Sequence, residues 1–320
     1  MQDDVSADAH KHESPPPILR AKRYDKPSLF APENLLREAR RQKALPDGAV
    51  PEVCVLDPDG DIVRHLLTTA QGRLYPAWAC YHTSLYSFVR GGIEFGIVGC
   101  AVGASFAVLV AEEMFASGCQ LLISVTSSGQ ISPAAQAPPY FILIDKALRD
   151  EGTSYHYLPP ADYAHLDADL LALFAGAFAG LAVPVYRGAT WTTDAPFRET
   201  AAAVSVAQAA GIAAVEMEAS ALYAFAQARR QDVVCFAHVT NQMGTVDNDF
   251  EKGHAGGAWD AHLHLGGGAG RSRARCRHLH HGAQWLGGVH HHHRFARHGQ
   301  ISGLGWSVQH HPIKRRGHAG

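Results

Sequence analysis

Two carboxylates flank a methionine at the point where a short apolar run gives way to an alanine-rich segment. They are Glu216 and Glu218, on either side of Met217, directly after the apolar residues 212–215. A carboxylate in this place could hold two vicinal hydroxyls, and a thioether beside it could press on the apolar face of a sugar. The three residues therefore predict a ribose-binding site and chemistry at a glycosidic bond. The alternative is an ordinary helix start, because the helix macrodipole favours acids near its N-terminus.

Two turns of small residues could bind an anion. Residues 99–105, which include Gly103 and Ser105, follow an apolar run and open a predicted helix. The amides at a helix N-terminus suit a phosphate or a carboxylate, although such a turn also fits a plain connection. Residues 126–129, which include Ser127, follow the next predicted strand. Because adjacent strands end at the same edge of a sheet, the two turns predict a ligand crevice there.

Two polar side chains near the end of the apolar region could hold a planar base. Arg198 lies in residues 192–199, which lead into a predicted helix, and Asn241 ends the last predicted strand. Arg198 could hold a carbonyl or ring nitrogen of a base, or it could simply pair with an acid at a helix start. Asn241 could bond a base or only close a turn. His238 is more typical of a packed strand histidine than of a catalyst.

Between residues 53 and 240, apolar runs of strand length alternate with alanine-rich segments of helix length. Strands are expected at 53–56, 94–99, 119–125, 140–144, 183–189, 212–215 and 233–240, and helices at 32–40, 104–117, 167–180, 196–210 and 217–229. Continuous apolar strands between helices predict an α/β domain with a largely buried sheet. We place this domain at residues 28–253.

The two ends of the chain differ from this pattern. Residues 1–27 are polar, with prolines at positions 15–17, and we expect a disordered arm or one that lies on a neighbour. Residues 254–320 hold 14 of the 21 histidines and little apolar periodicity, so low order is expected there. This tail could be a natural metal-binding segment, an expression tag or a coding sequence read in a shifted frame. We hypothesise the shifted frame, which resequencing of the locus tests.

Charge and cysteine usage narrow the class of protein. The tail holds nine of the 28 lysines and arginines but only one of the 30 acids, so residues 1–253 are acidic. An acidic body does not fit a nucleic-acid binder. None of the six cysteines forms a Cys-x-x-Cys pair, which indicates reduced thiols in a cytoplasmic protein. The N-terminus lacks the order of a signal peptide, and glycines interrupt the most apolar stretch, so no membrane partner is expected.

Taken in order, these segments resemble the nucleoside phosphorylase family, which comprises uridine and purine nucleoside phosphorylases and related nucleosidases. The shared order is a glycine-rich turn, a Thr-Ser-Ser-Gly turn, an Arg-Asp-Glu-Gly-Thr-Ser loop, a Thr-Asp-x-x-x-Arg-Glu segment and the Val-Glu-Met-Glu-Ala run. The resemblance implies a single domain with a mixed central sheet flanked by helices. It also implies ribose contacts from Met217, Glu218, Glu216 and Ser127, phosphate contacts from Gly103, Ser105, Ser127 and Arg64, base contacts from Arg198, Asn241 and Gly129, and catalysis by Glu218, Arg198 and Asn241.

The activity that the resemblance implies is phosphorolysis of a ribonucleoside, which yields a free base and ribose 1-phosphate. The C1′–N bond breaks through an oxocarbenium-like state, and phosphate, the co-substrate, captures C1′. The protein positions both reactants and stabilises the departing base. No covalent nucleophile, metal or other cofactor is expected. Family members are dimers or trimers of dimers, so a homo-oligomer is expected, with the arm before Pro32 and Arg90 as candidates for donated residues.

The chain departs from the family pattern where phosphate should bind. Leu56 stands at the first glycine of the Gly-Asp-Pro-x-Arg motif, and Ser124 stands at the second phosphate-binding arginine. Because bidentate arginine is the usual partner of phosphate, this weakens the case for phosphorolysis. Arg64, Arg90 or an arginine of another subunit could compensate. A phosphate-independent nucleosidase and an inactive nucleoside-binding relative stay open as alternatives.

The base-binding pattern is half retained. Pro196 stands at the glutamine of the Gln-x-Arg pair with which uridine enzymes hold uracil, and Arg198 matches its arginine. Asn241 stands where the purine enzymes use an aspartate, and an amide cannot replace a protonated carboxyl group as a general acid. The retained arginine favours a pyrimidine, and uridine in particular.

Overall fold

The computed structural model describes residues 14–132, 137–174, 176–178, 181 and 183–243. The first 13 residues of the predicted arm lie outside the described residues. So do residues 244–253, which end the predicted domain, and the whole predicted tail of residues 254–320. The predicted domain boundaries and the low order of the tail therefore stay predictions.

Within the described ranges the chain forms six α-helices and ten β-strands. The helices are α1 (Pro32–Lys43), α2 (Asp61–Thr68), α3 (Ala104–Ala116), α4 (Ala168–Leu173), α5 (Ala201–Ala209) and α6 (Ala219–Arg229). The strands are β1 (Val53–Asp57), β2 (Arg73–Leu74), β3 (Leu85–Arg90), β4 (Ile93–Gly99), β5 (Leu121–Gln130), β6 (Tyr140–Asp150), β7 (Tyr163–His165), β8 (Val185–Thr193), β9 (Ile212–Glu216) and β10 (Asp232–Asn241).

Five of the strands close into a ring, and the others extend from it. β5 pairs with β9, β9 with β8, β8 with β6, β6 with β10, and β10 again with β5. From β5 the sheet continues through β1, β4, β3 and β2, while β7 pairs with β6. β1 runs parallel to β4 and β5, whereas β5 and β9 are antiparallel. The expected α/β fold with a mixed central sheet flanked by helices is confirmed.

Two predicted helices are shorter than expected. The helix expected over 196–210 begins at Ala201, because the Thr200 hydroxyl accepts a hydrogen bond from the Ala203 N–H and caps it. Residues Pro196–Arg198 form a separate one-turn 3-10 helix instead. The helix expected over 167–180 extends only from Ala168 to Leu173. The short helix α2 and the strands β2, β3 and β7 were not predicted.

The first eight residues of helix α6 are enclosed on every side, which explains why most of them are apolar. All residues from 219 to 226 are buried. The Tyr223 hydroxyl donates to the carbonyl of Ile144 on β6 (2.6 Å) and accepts from the N–H of Cys235 on β10 (3.1 Å). Each large apolar side chain buried here contributes about 1.5–3 kcal/mol, so the start of α6 is held firmly against the ring of strands.

The carboxyl ends of four strands meet at one edge of the sheet. In the parallel pairs, Asp57 on β1 lies opposite Gly99 on β4, and β5 runs beside β1. At the far end of β5, Gly129 is paired with both Val215 on β9 and Asn241 on β10. The register thus brings the turns after β1 and β4 to the same edge as the end of β5 and the Glu-Met-Glu run. Residues 126–129, predicted as a turn, are instead the last part of β5, because they pair with β10 along their length.

Candidate active site

Glu218 joins the glycine-rich turn to the start of α6. The N–H of Gly103, which precedes α3, donates a 2.7 Å hydrogen bond to Glu218 Oε1. Gly103 has φ of 91°, and a side chain there would be strained in this conformation. The two predicted site residues are therefore brought together, although they are 115 positions apart. In this arrangement the Gly103 amide serves a carboxylate of the protein itself.

The Glu218 carboxyl group is buried and only half satisfied. The residue is 1% exposed, and its Oε2 has no hydrogen-bond partner among the described residues. The nearby Thr126 hydroxyl donates instead to the carbonyl of Ser127 at 3.3 Å. Burial, followed by the neighbouring Glu216, raises the pKa of Glu218 above the ordinary carboxyl range. The site thus holds a carboxyl group that favours its protonated form.

Glu216 has a different role in the structure, because four donors occupy its carboxylate. Its Oε1 accepts from the hydroxyls of Thr190 (3.1 Å) and Thr192 (2.5 Å). Its Oε2 accepts from the N–H groups of Glu218 and Ala219, both at 2.7 Å. These bonds fix the turn from β9 into α6. A contact between Glu216 and a ribose hydroxyl stays a prediction, and it requires that the hydroxyl replace or share one of these four bonds.

Met217 lies between these two carboxylates and is half-buried. Its neighbours are fixed, since Glu216 binds the backbone after it and Glu218 is tied to the turn before α3. The Met217 thioether therefore extends from a turn whose backbone is fixed. A fixed backbone suits a side chain that packs against a sugar ring. The ribose contact itself stays a prediction.

A second carboxylate binds the backbone amide of Ser127, a residue predicted to contact phosphate. Asp59, in the turn between β1 and α2, accepts a 2.8 Å hydrogen bond from the Ser127 N–H through Oδ2. Ser105, the other predicted phosphate contact of this region, is exposed on the first turn of α3. The backbone amides of Gly103 and Ser127, two residues predicted to contact phosphate, therefore each already donate to a protein carboxylate.

Asp57 adds a buried acid on this side of the site. The residue is 1% exposed, its Oδ2 accepts from the Val63 N–H at 2.9 Å, and its Oδ1 has no partner among the described residues. Burial, followed by repulsion from Asp59 and Asp61, raises the pKa of Asp57 to about 7, although the Val63 hydrogen bond opposes the shift. The turn after β1 is therefore strongly acidic.

The arginines that could compensate do not lie in this acidic turn. Arg64, on α2, forms a 2.5 Å ion pair with Asp61, and its side chain is 57% exposed. Arg90 binds Gln71 and lies beside the start of β4, which places it about 20 Å from the carboxyl edge of the same subunit. Ser124, at the position of the missing arginine, is buried. Arg90 therefore lies far from this turn within one chain, and its donation to a neighbouring subunit stays a prediction.

The predicted base-binding residues are only partly assembled. Gly129 and Asn241 are neighbours, since a side-chain carbon on Gly129 would lie 3.3 Å from Asn241 Oδ1. Asn241 also accepts from the Met243 N–H at 3.3 Å. Arg198 is exposed on the turn after β8, and its guanidinium makes no hydrogen bond or ion pair with any described residue. Its base contact stays a prediction.

Comparison with known proteins identifies the family. Residues 53–259 match the family model described as the phosphorylase superfamily. The chain belongs to the phosphorylase superfamily. The family resemblance expected from the Glu-Met-Glu run and the glycine turns is confirmed.

Solved structures show the same fold at low sequence identity. Uridine phosphorylase from Vibrio fischeri ES114 in complex with 6-hydroxy-1-naphthoic acid is 23% identical, with a TM-score of 0.52, over 60% of this chain and 78% of that one. Another structure of uridine phosphorylase from the same organism is 22% identical, with a TM-score of 0.52, over 60% of this chain and 79% of that one. The search of curated proteins found no match.

Sequence reasoning missed several polar residues that shape the site of this superfamily member. The hydroxyls of Thr190 and Thr192 donate to Glu216. Asp57 and Asp59 place two acids close together at the end of β1. The two threonines could have been found from the alternation along β8, where Thr190 and Thr192 share one face with a period of two. The two acids directly after a buried strand were a signal as well, because that position faces the ligand edge.

Across the described residues, no group of three or more His, Cys, Asp or Glu side chains is arranged to hold a metal ion. In the same part of this superfamily member, no helix combines the length and the apolar character that crossing a bilayer requires.

Proposed function

We propose that this chain cleaves the N-glycosidic bond of a ribonucleoside and releases the free base. The observation that supports this most directly is the Glu218 carboxyl group, with Oε1 fixed by Gly103 and Oε2 buried without a partner among the described residues. A buried polar atom that lacks a hydrogen bond costs about 1–3 kcal/mol. A ribose hydroxyl that forms a hydrogen bond with Oε2, either accepting from the protonated group or donating to the carboxylate, recovers that free energy once the groups that cover Oε2 have moved aside.

The surrounding charges suit the chemistry at C1′. As the C1′–N bond breaks, positive charge develops on the ribose ring, and a carboxylate fixed nearby stabilises it, which for Glu218 requires loss of the proton that burial favours. Glu216 keeps Glu218 in place through the turn into α6. The departing base gains electrons and needs a hydrogen-bond donor, for which we propose Arg198 and Asn241.

Phosphate is the acceptor that the family resemblance suggests, and uridine is the substrate to test first. In that reaction a phosphate oxygen bonds to C1′, the base leaves with the electrons of the C1′–N bond, and ribose 1-phosphate forms. Arg198 matches the base-binding arginine of the uridine enzymes, and the two solved relatives are uridine phosphorylases. A homo-oligomer and a cytoplasmic location are proposed on the resemblance and on cysteine usage.

Hydrolysis is the second candidate, and the acidic turn after β1 favours it. With water as acceptor, the water oxygen bonds to C1′, one water proton is released, and the base nitrogen takes up a proton after it leaves. Ser124 cannot pair with a phosphate as an arginine does, and the nearest candidate, Arg64, is neutralised by Asp61.

The proposal is tested by incubation of the purified chain with uridine, inosine or adenosine, with and without phosphate. We expect base release from at least one nucleoside. Formation of ribose 1-phosphate supports phosphorolysis, whereas equal base release without phosphate supports hydrolysis. Nucleoside binding without base release in any mixture would contradict the enzymatic proposal and support an inactive nucleoside-binding relative.

A further inference from the structure

The loop after β6, residues 151–157, reaches the first turn of α6 through Glu151. This residue is 6% exposed, and donors occupy both oxygens of its carboxyl group. Oε1 accepts a 2.8 Å hydrogen bond from the Ser220 hydroxyl, and Oε2 accepts a 2.9 Å bond from the Ser154 N–H. Ser220 lies on α6, 69 positions away, and is fully buried. Glu151 therefore joins this loop to the helix that follows the Glu-Met-Glu run.

From Ser220 the hydrogen bonds continue to the Glu-Met-Glu run. The Ser220 N–H donates to the Thr192 hydroxyl oxygen at 3.0 Å, and the Thr192 hydroxyl donates to Glu216 Oε1 at 2.5 Å. Glu216 Oε2 in turn accepts from the Glu218 N–H at 2.7 Å. Ser220, Thr192 and Glu216 are at most 3% exposed, so these bonds are shielded from water. Four hydrogen bonds thus connect Glu151 with Glu218.

We propose that Glu151 is a positioning residue that fixes the orientation of Glu218 toward a bound ribose. It acts by holding the Ser220 hydroxyl, and with it the first turn of α6. Glu151 does not touch the nucleoside in this scheme, because its two oxygens already accept hydrogen bonds inside the protein. The inference rests on the proposed cleavage of a nucleoside and deepens it. It gives a role to the Arg-Asp-Glu-Gly-Thr-Ser loop.

The loop that carries Glu151 is itself held on two sides. The buried Arg149 guanidinium donates to the Ser154 hydroxyl at 2.8 Å and to two backbone carbonyls just after the loop. On the side of β8, the Gly152 N–H donates to Asp194 Oδ2 at 2.8 Å. A residue that positions a functional group must have a locked conformation of its own. Glu151 meets that condition, because contacts fix the backbone on which it stands.

The backbone of Glu218 depends on such outside contacts for its conformation. Glu218 immediately precedes α6, with φ of −131° and ψ of −36°, so it does not have helical geometry. Only Ala219 separates it from Ser220, and any shift of Ser220 is therefore passed to it almost directly. A misplacement of about 1 Å at a reacting group can lower a rate about a hundredfold. Placing the Glu218 carboxyl group against a ribose therefore requires that the first turn of α6 stay fixed.

The test compares Glu151→Gln and Ser220→Ala with the wild-type chain and with Glu112→Gln. In Glu151→Gln the amide oxygen can still accept from Ser154, but the NH₂ group then faces Ser220, whose hydroxyl proton loses its acceptor. Ser220→Ala removes the same link from the other end. Glu112→Gln is the matched control, because Glu112 binds the Tyr157 hydroxyl of the same loop at 2.6 Å but takes no part in the four bonds that lead to the Glu-Met-Glu run. Thermal unfolding verifies that each variant folds.

In base-release assays, Glu151→Gln and Ser220→Ala should each lower kcat at least about tenfold and change the KM for the nucleoside less than about threefold. Glu112→Gln should match wild type in both constants. The two test variants combined should lose no more than the worse of them alone, because they break one link. In a Glu218→Gln background, Glu151→Gln should cause no further loss, because the group that it positions is gone. A general loss of stability would not show this dependence on Glu218.

Two kinetic results would overturn the inference. One is a folded Glu151→Gln variant whose kcat equals that of Glu112→Gln. The other is a loss from Glu151→Gln that persists in full in the Glu218→Gln background. If Glu151→Gln fails to fold, Ser220→Ala, which removes a single oxygen atom, is judged by the same two criteria.

A measurement without turnover separates this inference from the proposed function. Burial, followed by repulsion from Glu216, holds the pKa of Glu218 above the ordinary carboxyl range. In Ser220→Ala the displaced carboxyl group should meet water, and its pKa should fall toward the ordinary range. Carbon NMR titration measures this, with the Glu218 signal assigned from its loss in Glu218→Gln. If the wild-type chain is inactive, only the proposed function fails, whereas an unchanged pKa in Ser220→Ala would overturn the role of Glu151.

Discussion

The sugar side of the site, residues 216–218, and the acceptor side, residues 57–60 and 124–128, share one sheet edge but are built on opposite principles. On the sugar side the Glu216 carboxylate is saturated by four donors, and Glu218 is fixed by the Gly103 amide. On the acceptor side acids gather with few donors, and Asp57 keeps one oxygen without a partner among the described residues. The family motif is thus intact where the sugar should bind and altered where the acceptor should bind.

This contrast shows that a motif can be retained while its partner site changes. A ribose offers hydroxyl donors, so carboxylates suit it whichever acceptor attacks C1′. The two possible acceptors, phosphate and water, differ mainly in charge, so the charged groups near the acceptor bear on the choice between them. Membership in the superfamily therefore fixes the sugar chemistry more firmly than it fixes the second substrate.

The largest expected effect is on the sugar side, from Glu218→Gln. Glutamine keeps one oxygen for Gly103 but presents an NH₂ group instead of a second acceptor, and it cannot take a negative charge as the oxocarbenium-like state forms. We expect kcat/KM for base release to fall at least about a thousandfold, about 4 kcal/mol. Glu94→Gln, an exposed acid at the opposite end of β4, is the control. A loss below about tenfold would show that the sugar side does not depend on Glu218.

The second prediction concerns Asp57→Asn on the acceptor side. It measures how much the ionised Asp57 carboxylate destabilises the folded chain. An unfolded aspartate loses its proton near its ordinary pKa of 3.8, whereas folded Asp57 keeps it to about pH 7. Between these values the folded state binds more protons, so wild-type stability falls as pH rises. Asparagine lacks this dependence. The variant should therefore gain stability over wild type by up to about 4 kcal/mol between about pH 4 and about pH 8.

Urea unfolding at several pH values checks this prediction. Other titrating groups are common to the two chains, so their contribution cancels in the difference between the two unfolding free energies. If that difference stays constant with pH, the acceptor side is not strained by Asp57, and the contrast with the sugar side is weaker than we infer.

Much of the fold and of the sugar side could be predicted from the sequence, because both depend on local patterns. Apolar periodicity located β1, β4, β5 and β9. The residue types of the Glu-Met-Glu run predicted a ribose-binding site without reference to the rest of the chain. The acceptor side could not be predicted in the same way. The bond between Asp59 and Ser127 joins residues 68 positions apart, and it becomes visible only when β1 is known to lie beside β5. The pairing of Arg64 with Asp61 likewise depends on α2, a short helix that periodicity did not reveal.

A third test concerns the network that supports the sugar side. In Glu216→Gln the amide oxygen can still accept from the N–H groups of Glu218 and Ala219, but its NH₂ group then faces the hydroxyls of Thr190 and Thr192. Thr192 already accepts from the Ser220 N–H, so the new contact is poorly satisfied. We expect a loss of about 1–2 kcal/mol in unfolding free energy and a lower kcat.

Thr190→Val, which removes only the 3.1 Å bond to Glu216, is the matched variant for this network and should cost less. Thermal unfolding and steady-state kinetics measure the two effects. A Glu216→Gln variant of wild-type stability whose defect lies wholly in KM would indicate that Glu216 contacts the nucleoside directly, as the family resemblance implies. The sugar side would then have two binding acids rather than one binding acid and one support.

The smallest effect is expected for Arg64→Ala. This variant distinguishes water from phosphate as the acceptor. Arg64 is more than half exposed in its ion pair with Asp61, so the loss of the pair should cost less than about 1 kcal/mol. If the acceptor is water, base release should also be unchanged at every phosphate concentration. If Arg64 binds phosphate after all, its removal should raise the KM for phosphate and leave the KM for the nucleoside unaltered. That outcome would give the acceptor side a positively charged group. The acceptor side would then no longer differ from the sugar side as we infer.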